Sequence, residues 1–319
     1  MKRQKPLIAI SSCLLGENIR YNGGHCRENW IYSELSKFVD FHPVCPELAM
    51  GLGVPREEIH LFRTTRKDNE VKLRSKFTKE ELTQTAYITY ESIEDDLKNL
   101  DIDGHIFTRK SPTCGPDNVK TITLDDPNYV NKSTGLYAGF IMDQFPNLPY
   151  IDNGRIKNIE LRENFVKKIF SHFRFKQLNG TMRDLQLFHQ MHKYAIMEHN
   201  QENMRTLGRI AANHEGLSAQ KVYQIYFKLF METISILPTR KNRLNACYHV
   251  FGYFKNDLGA GEKKALLNLM EDYQNGVSNY LTINSFLNVL TEAHQKAYLQ
   301  DQYIFEPYPK ELKLLKDIA

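Results

Sequence analysis

The sequence predicts an α/β domain with a mainly parallel sheet, residues 1–155, followed by an all-α domain, residues 156–319. Three observations carry this. The chain has 319 residues, enough for two domains at about 100–200 residues each. Up to about residue 150, short apolar runs alternate with Gly- and Pro-bearing turns and with helical stretches, the pattern of strands joined by crossover helices. From about residue 157 onward, apolar residues recur almost throughout at three- and four-residue spacing, the period of a helix with one buried face.

Taken in order, Leu7-Ile8-Ala9-Ile10 reads as a buried strand, and Phe38–Val44 as a second despite Asp40 and Pro43. Residues 80–100 read as a helix with Leu82, Ala86, Ile93 and Leu97 on its apolar side. Ile102–Phe107 is a third strand, and Val119–Leu124 reads as an edge strand. A helix follows from Gly135 to Phe145, stopped by Pro146. In the second half, Leu185, Phe188, Tyr194, Ile196 and Met197 mark one helix. Val222, Ile225, Tyr226, Leu229 and Phe230 mark another, and Leu266, Leu267, Leu269 and Met270 a third. Pro238 and Leu258-Gly259-Ala260-Gly261 are the expected breaks.

Composition narrows the function classes. Apolar residues make up 41% and charged residues 25%, with a net charge of +4, so the balance permits an anionic or nucleic-acid partner without arguing for one. The basic residues Arg63, Arg66, Lys67, Lys72, Arg74 and Lys76 read as a solvated face. No apolar run approaches the ~18–20 residues of a bilayer span, so no membrane partner is expected. Ile10-Ser11-Ser12-Cys13 resembles a bacterial lipobox behind Lys2, Arg3 and Lys5. The apolar stretch before it runs only from Pro6 to Ile10, short of the ~7–15 residues a signal-peptide core needs. The five cysteines, at 13, 26, 45, 114 and 247, are odd in number and lack CxxC spacing. They form no disulfide framework, and the cytoplasm is the expected compartment.

Three of them share a context. Cys13 follows the first strand and precedes Gly16, Cys45 follows the second inside Pro43-Val44-Cys45-Pro46-Glu47, and Cys114 follows the third inside Ser111-Pro112-Thr113-Cys114-Gly115-Pro116. Each lies just past the carboxyl end of a strand, the edge where ligands bind in open α/β sheets. Converging thiolates suit zinc or an iron–sulfur cluster, and spacing does not separate these two from each other or from three buried, inert thiols.

At this point the sequence resembles a known family. Ser12-Cys13-Leu14-Leu15-Gly16 with Arg20-Tyr21-Asn22-Gly23, then Pro43-Val44-Cys45-Pro46-Glu47 with Gly51-Leu52-Gly53-Val54-Pro55-Arg56, then Ser111-Pro112-Thr113-Cys114-Gly115, look like the three signature blocks of the thiouracil desulfurase (TudS-like) domain. The resemblance implies a 4Fe-4S cluster held by Cys13, Cys45 and Cys114, with one iron open to sulfur. It implies a catalytic carboxylate at Glu47, an assisting hydroxyl at Ser111, and a small thiolated nucleobase or nucleoside, such as 2-thiouracil, as substrate. Read without it, Glu47 is a helix N-terminal carboxylate after Pro46 and Ser111 a turn starter before Pro112. The second half is similar to the helical domain of YbgA-like bacterial proteins, through Phe188-His189, His192-Lys193, Met197, His199, Leu207-Gly208, Asn245, His249, Gly252-Tyr253-Phe254-Lys255, Gln302 and Pro307-Tyr308-Pro309.

Cys26, in Gly23-Gly24-His25-Cys26, sits on a flexible approach, but the family pattern does not require it as a ligand. Cys247 reads as helix packing. His189 and His192 share a helix side, and the reading for these and for His199 and His249 is packing rather than metal binding. A rival function of another class treats the helical half as a module docking nucleic acid or protein, beside a structural zinc site without turnover.

Overall fold

A computed structural model describes residues 3–126 and 129–314. Lys2, one of the amino-terminal charges named above, lies outside the described residues. The chain divides into two units, one ending at Asn158 and one beginning at Ile159.

The first unit contains β1 (Leu7–Ser11), α1 (Asn29–Ser33), β2 (Asp40–Val44), α2 (Pro46–Ala49), β3 (Ile59–Arg63), β4 (Lys72–Ser75) and α3 (Thr83–Leu100). There follow β5 (Gly104–Phe107), β6 (Val119–Thr123), β7 (Val130–Ser133), α4 (Leu136–Gln144) and β8 (Tyr150–Asp152). One sheet has the order β2-β1-β5-β8, and all its pairings are parallel. Ile8, Ala9 and Ile10 of β1 are fully buried, as a central strand covered on both faces must be. The α/β class with a parallel sheet thus follows the apolar runs.

A second sheet, order β4-β3-β6-β7, is mixed. β3 pairs antiparallel with β4 and parallel with β6, and β6 pairs antiparallel with β7. Val119–Leu124 was expected at an edge. Its strand β6 is instead interior to this sheet, because β3 and β7 flank it on both sides. Neither neighbour announces itself: β7 has no buried residue, and β3 buries only Leu61 and Phe62.

α3 starts at Thr83 rather than residue 80 because the preceding segment extends the sheet. Glu81 bridges Arg74, and the Thr83 hydroxyl accepts the Leu73 amide at 3.0 Å. Ala86, Tyr90 and Leu97 of α3 pack with Leu136, Tyr137, Ala138 and Ile141 of α4 in the core that also holds Cys114. Among the described residues, three of the six basic residues at 63–76 are ion-paired: Lys72 with Glu70 and Glu81, Lys76 with Glu58, and Arg66 with Asp126.

The second unit contains α5 (Ile159–Lys176), α6 (Met182–His199), α7 (Gln201–Ala212), α8 (Ala219–Ser235), α9 (Arg240–Phe251), α10 (Ala260–Gln274), α11 (Tyr280–Ala293) and α12 (Ala297–Gln300). Five of these start at a side-chain cap: Thr181, Asn200, Ser218, Thr239 and Asn279 each accept an amide three residues on. Pro238 falls in the α8–α9 link, and Gly259 is the residue before α10. The core is aromatic and aliphatic, built on Phe188, Tyr226, Phe230 and their neighbours.

Inside it lies a ring of buried charge. Lys167 approaches Glu163 at 3.2 Å and Glu198 at 3.8 Å, while Arg243 approaches Glu198 at 3.7 Å and Glu163 at 3.9 Å. Each ion has two opposite neighbours, which offsets the cost of its desolvation.

Three of the four helical histidines named above pack as expected, whereas His249 is exposed and meets the Gln201 side-chain amide at 3.3 Å. The His192 ring lies 2.8 Å from the Phe188 carbonyl through Nδ1, His199 lies 2.6 Å from that of Ile236, and His189 meets the Tyr226 hydroxyl at 3.0 Å. Burial lowers all three, His189 to about 4. Cys247 is buried on α9. Among the described residues no helix is long and apolar enough to cross a membrane.

Candidate active site and metal centre

The carboxyl ends of β1, β2 and β5 converge because β1 lies between the other two. The chain leaves β1 to one side for β2 and returns on the other side as β5, which opens a crevice beyond the strand ends. A cleft of about 310 Å³ occupies this place, and Cys13, Cys45, Glu47, Ser111 and Cys114 all line it. The opposite wall carries Ile19, Arg20, Tyr21, Arg56 and Ile59, and Arg109 and Lys110 also border it.

Each sulfur is delivered by a different local device. Cys13 sits on the single turn Ser12–Leu14 that follows β1, and its sulfur lies 3.2 Å from the Thr108 hydroxyl beyond β5. Cys45 occupies the extended position just before α2, where Pro46 supplies a preset first helical residue. Cys114 is buried in a loop folded against the start of α4. There the amides of Gly135, Leu136 and Ala138 donate to the carbonyls of Gly115, Pro112 and Thr113. Gly135 permits that approach: a Cβ there would lie 2.5 Å from the Thr113 carbonyl oxygen.

Glu47 is nearly buried, at 9% exposure. Thr113 donates its hydroxyl proton to Glu47 Oε1 at 2.6 Å, and the Ser111 hydroxyl lies 3.4 Å from the same oxygen and 3.0 Å from Thr113 Oγ1. The other oxygen faces the Cys45 thiol at 3.5 Å and an Arg56 nitrogen at 4.0 Å. Arg56 is itself held by the carbonyls of Ile19 and Gly53, at 2.8 and 3.0 Å, so it ties the far wall to Glu47. Ser111 keeps its turn role as well, since its oxygen accepts the amides of Cys114 and Thr113 at 3.1 and 3.3 Å. That leaves its proton to point at Thr113 or Glu47.

Thr113 is the residue that sequence reasoning missed. Between Pro112 and Cys114 it looks like a spacer, and its place within the Ser111–Gly115 block was the available signal. Of Cys26 it missed the partner. The Cys26 sulfur lies 3.3 Å from that of Cys13, and its amide donates to the Cys13 carbonyl at 3.0 Å, so the Gly23-Gly24 loop folds back onto the first cysteine.

The thiols of the cleft resist ionisation. The Cys26 contact and then burial raise Cys13 far above an ordinary thiol. Burial and the Glu47 carboxylate push Cys45 up to about 12 and raise Cys114 well above an ordinary thiol. Cys26 goes the other way, to about 7, because the Cys13 thiol hydrogen-bonds its sulfur and Arg20 is near. Sulfurs this crowded become thiolates when a cationic group offsets their charge.

Among the described residues no three His, Cys, Asp or Glu side chains are close enough to hold a single metal ion. Thiolates sharing one tetrahedral zinc would sit about 3.8 Å apart. Soft donors on three separate strand ends suit a polynuclear iron–sulfur group, whose thiolates bind different irons.

Residues 8–153 match the model of the 2-thiouracil desulfurase family, and residues 193–309 match that of a family described as a protein of unknown function, DUF1722. The chain joins a desulfurase-family segment to a DUF1722 segment, as the motifs implied. Among individual proteins it is similar to the uncharacterized protein YbgA of Escherichia coli (strain K12), at 25% identity over 142 residues, 44% of this chain and 84% of that one. Among solved structures it is similar to a [4Fe-4S]-dependent thiouracil desulfidase, TudS, with 19% identity and a TM-score of 0.40 over 51% of this chain and all of that one.

Proposed function

We propose that residues 1–155 form a desulfurase that removes sulfur from a small thiolated nucleobase such as 2-thiouracil. A 4Fe-4S cluster would be held by Cys13, Cys45 and Cys114, and residues 156–319 would serve a separate role. The family match over residues 8–153 supports the activity. The observation that carries the reading is the placement of one carboxylate, Glu47, among three thiols and two hydroxyls in a single cleft. When bound, the cluster supplies Lewis-acid polarisation of a thiocarbonyl sulfur at the iron without a protein ligand.

The chain's own groups do the rest. Glu47 takes the proton from a water that attacks the thiocarbonyl carbon. Thr113 and Ser111 fix the direction of its Oε1, and Arg56 stands beside its Oε2. The water oxygen replaces sulfur on the carbon, and the sulfur leaves as hydrosulfide. One C=S becomes one C=O, with no net oxidation or reduction.

The test is anaerobic reconstitution with iron and sulfide, followed by uracil release from 2-thiouracil. Turnover is expected, with single replacement of Cys13, Cys45 or Cys114 by Ala abolishing the visible absorption of the cluster. An intact cluster without turnover on any thiolated base defeats the desulfurase reading. Retention of the absorption in all three variants defeats the ligand assignment.

A further inference from the structure

The helical unit has a second cavity, of about 250 Å³, between the end of α5 and the first half of α6. Its lining combines Leu178, Leu187, Phe188 and Met191 with Arg174 and Tyr303. The planar groups form a continuous column. Phe188 stacks on His192 at 3.9 Å between centroids, His192 meets Tyr303 at 4.4 Å, and the Arg174 guanidinium lies 3.9 Å over the Tyr303 ring.

Arg174 is the unusual member. It donates from Nε to His192 Nε2 at 3.2 Å, from Nη1 to the Pro307 carbonyl at 2.8 Å and from Nη2 to the Ser171 hydroxyl at 3.1 Å. All three acceptors are neutral, because burial keeps His192 far below its usual range. Among the described residues no carboxylate comes within ion-pair distance of the guanidinium, whereas the buried Lys167 and Arg243 nearby each have two. Burial pulls Arg174 down to about 10, so the side chain keeps its charge at neutral pH.

A guanidinium carries five N–H donors, and only three are used here. Two N–H groups and a positive charge without an ion-pair partner therefore remain on a side chain that lines this cavity, whose wall is mostly aromatic and aliphatic carbon with Gln177 and Asp184 at its edge. Leaving a partly buried cation without a counter-ion is costly, and an anion seated against it removes that cost.

We propose that this cavity binds a small organic carboxylate with a flat aromatic or short aliphatic body. The carboxylate pairs with Arg174, whose planar fork matches it, and the body lies against Phe188, Leu187 and Met191. The apolar walls disfavour a small, fully hydrated dianion such as sulfate. Asp184 also lines the cavity, its carboxylate accepting the Asn179 amide at 3.3 Å. It disfavours a second negative charge on the ligand. The site belongs to the helical unit and does not depend on the desulfurase reading.

Benzoate is the probe, titrated calorimetrically into the full-length chain. Saturable binding of one benzoate per chain is expected. Benzyl alcohol and sulfate should each bind about tenfold or more weakly, the scale of losing a charge-assisted hydrogen bond or the apolar contact. Arg174→Gln should weaken benzoate by a similar factor. Because that change also removes the contact to the Pro307 carbonyl, Leu187→Trp is the second variant. Leu187 is half exposed, and an indole there fills the mouth while leaving the charge in place. Lys110→Ala, in the other unit, should leave benzoate affinity unchanged. No saturable binding across the millimolar range overturns the proposal, and so does wild-type affinity in both Arg174→Gln and Leu187→Trp.

Discussion

Thr113→Val isolates the hydroxyl that holds Glu47. Valine keeps the branched shape in a fully buried position and removes the hydroxyl that donates to Glu47 Oε1 at 2.6 Å, together with its contact to the Ser111 hydroxyl at 3.0 Å. A hydrogen bond to an ionised group contributes about 1.5–3 kcal/mol, and about 1.4 kcal/mol corresponds to a tenfold change in rate. If the bond sets the direction of the carboxylate towards its water, kcat on 2-thiouracil should fall by about 10–100-fold while KM changes little. Ser111, at 3.4 Å from the same oxygen, is too long a contact to replace it. Cluster absorption should persist, since Thr113 approaches Cys114 only at 3.5 Å, and Thr113→Ser should recover most of the rate. The assay is uracil release under anaerobic conditions, with the visible spectrum recorded on the same sample. Wild-type kcat in Thr113→Val with a full cluster would refute the argument that this hydroxyl orients the base.

Two other measurements test neighbouring features. With the cluster absent, mild peroxide should link Cys13 to Cys26 before any other pair, two thiols giving one disulfide as peroxide becomes water. Their sulfurs are 3.3 Å apart, and peptide mapping that finds a Cys45–Cys114 link first would contradict this. His105 tests the core of the parallel sheet by pH. It is fully buried and stacked on Phe107 at 3.9 Å, and burial lowers it from 6.5 to about 3. The unfolded chain therefore takes up the proton first, so stability is fully present above pH 6.5 and is lost as pH falls from there towards 3. Between pH 7 and pH 5 the loss from this one residue is about 2 kcal/mol. His105→Phe should flatten the denaturation midpoint against pH over that interval, and an unchanged slope would count against a neutral, buried imidazole.

The sequence made the strand ends legible because β1 and β5, buried on both faces, are nearly continuous apolar runs, and Pro or Gly follows each cysteine, even though β2 buries only Val44. It did not reveal the second sheet. β4 is four residues with Lys72 and Arg74 facing partners, and β7 has no buried residue, so neither shows the apolar alternation that marks a half-buried strand. Thr113, and the partner of Cys26, were hidden for a different reason. Their importance lies in contacts 66 and 13 residues away along the chain, and short-range pattern carries no information about such pairs. The helical unit was legible as helices, yet its charge ring was not. Glu163 and Lys167, four residues apart, look like an ordinary solvent-facing pair, and only the approach of Glu198 and Arg243 from other helices puts them inside.

The order β2-β1-β5-β8 also governs when the cleft can exist. Cys13 leaves the ribosome 101 residues ahead of Cys114, and the strand that closes its second side, β5, is made only shortly before that last thiol. Throughout this interval the nascent chain holds only part of the proposed set of sulfurs, with Cys26 the first thiol to follow Cys13. If Cys13, Cys45 and Cys114 hold the proposed cluster, its delivery would be a task for the completed sheet rather than for the emerging polypeptide, and a truncated translation product ending before β5 would carry two of the three sulfurs and no place to converge them.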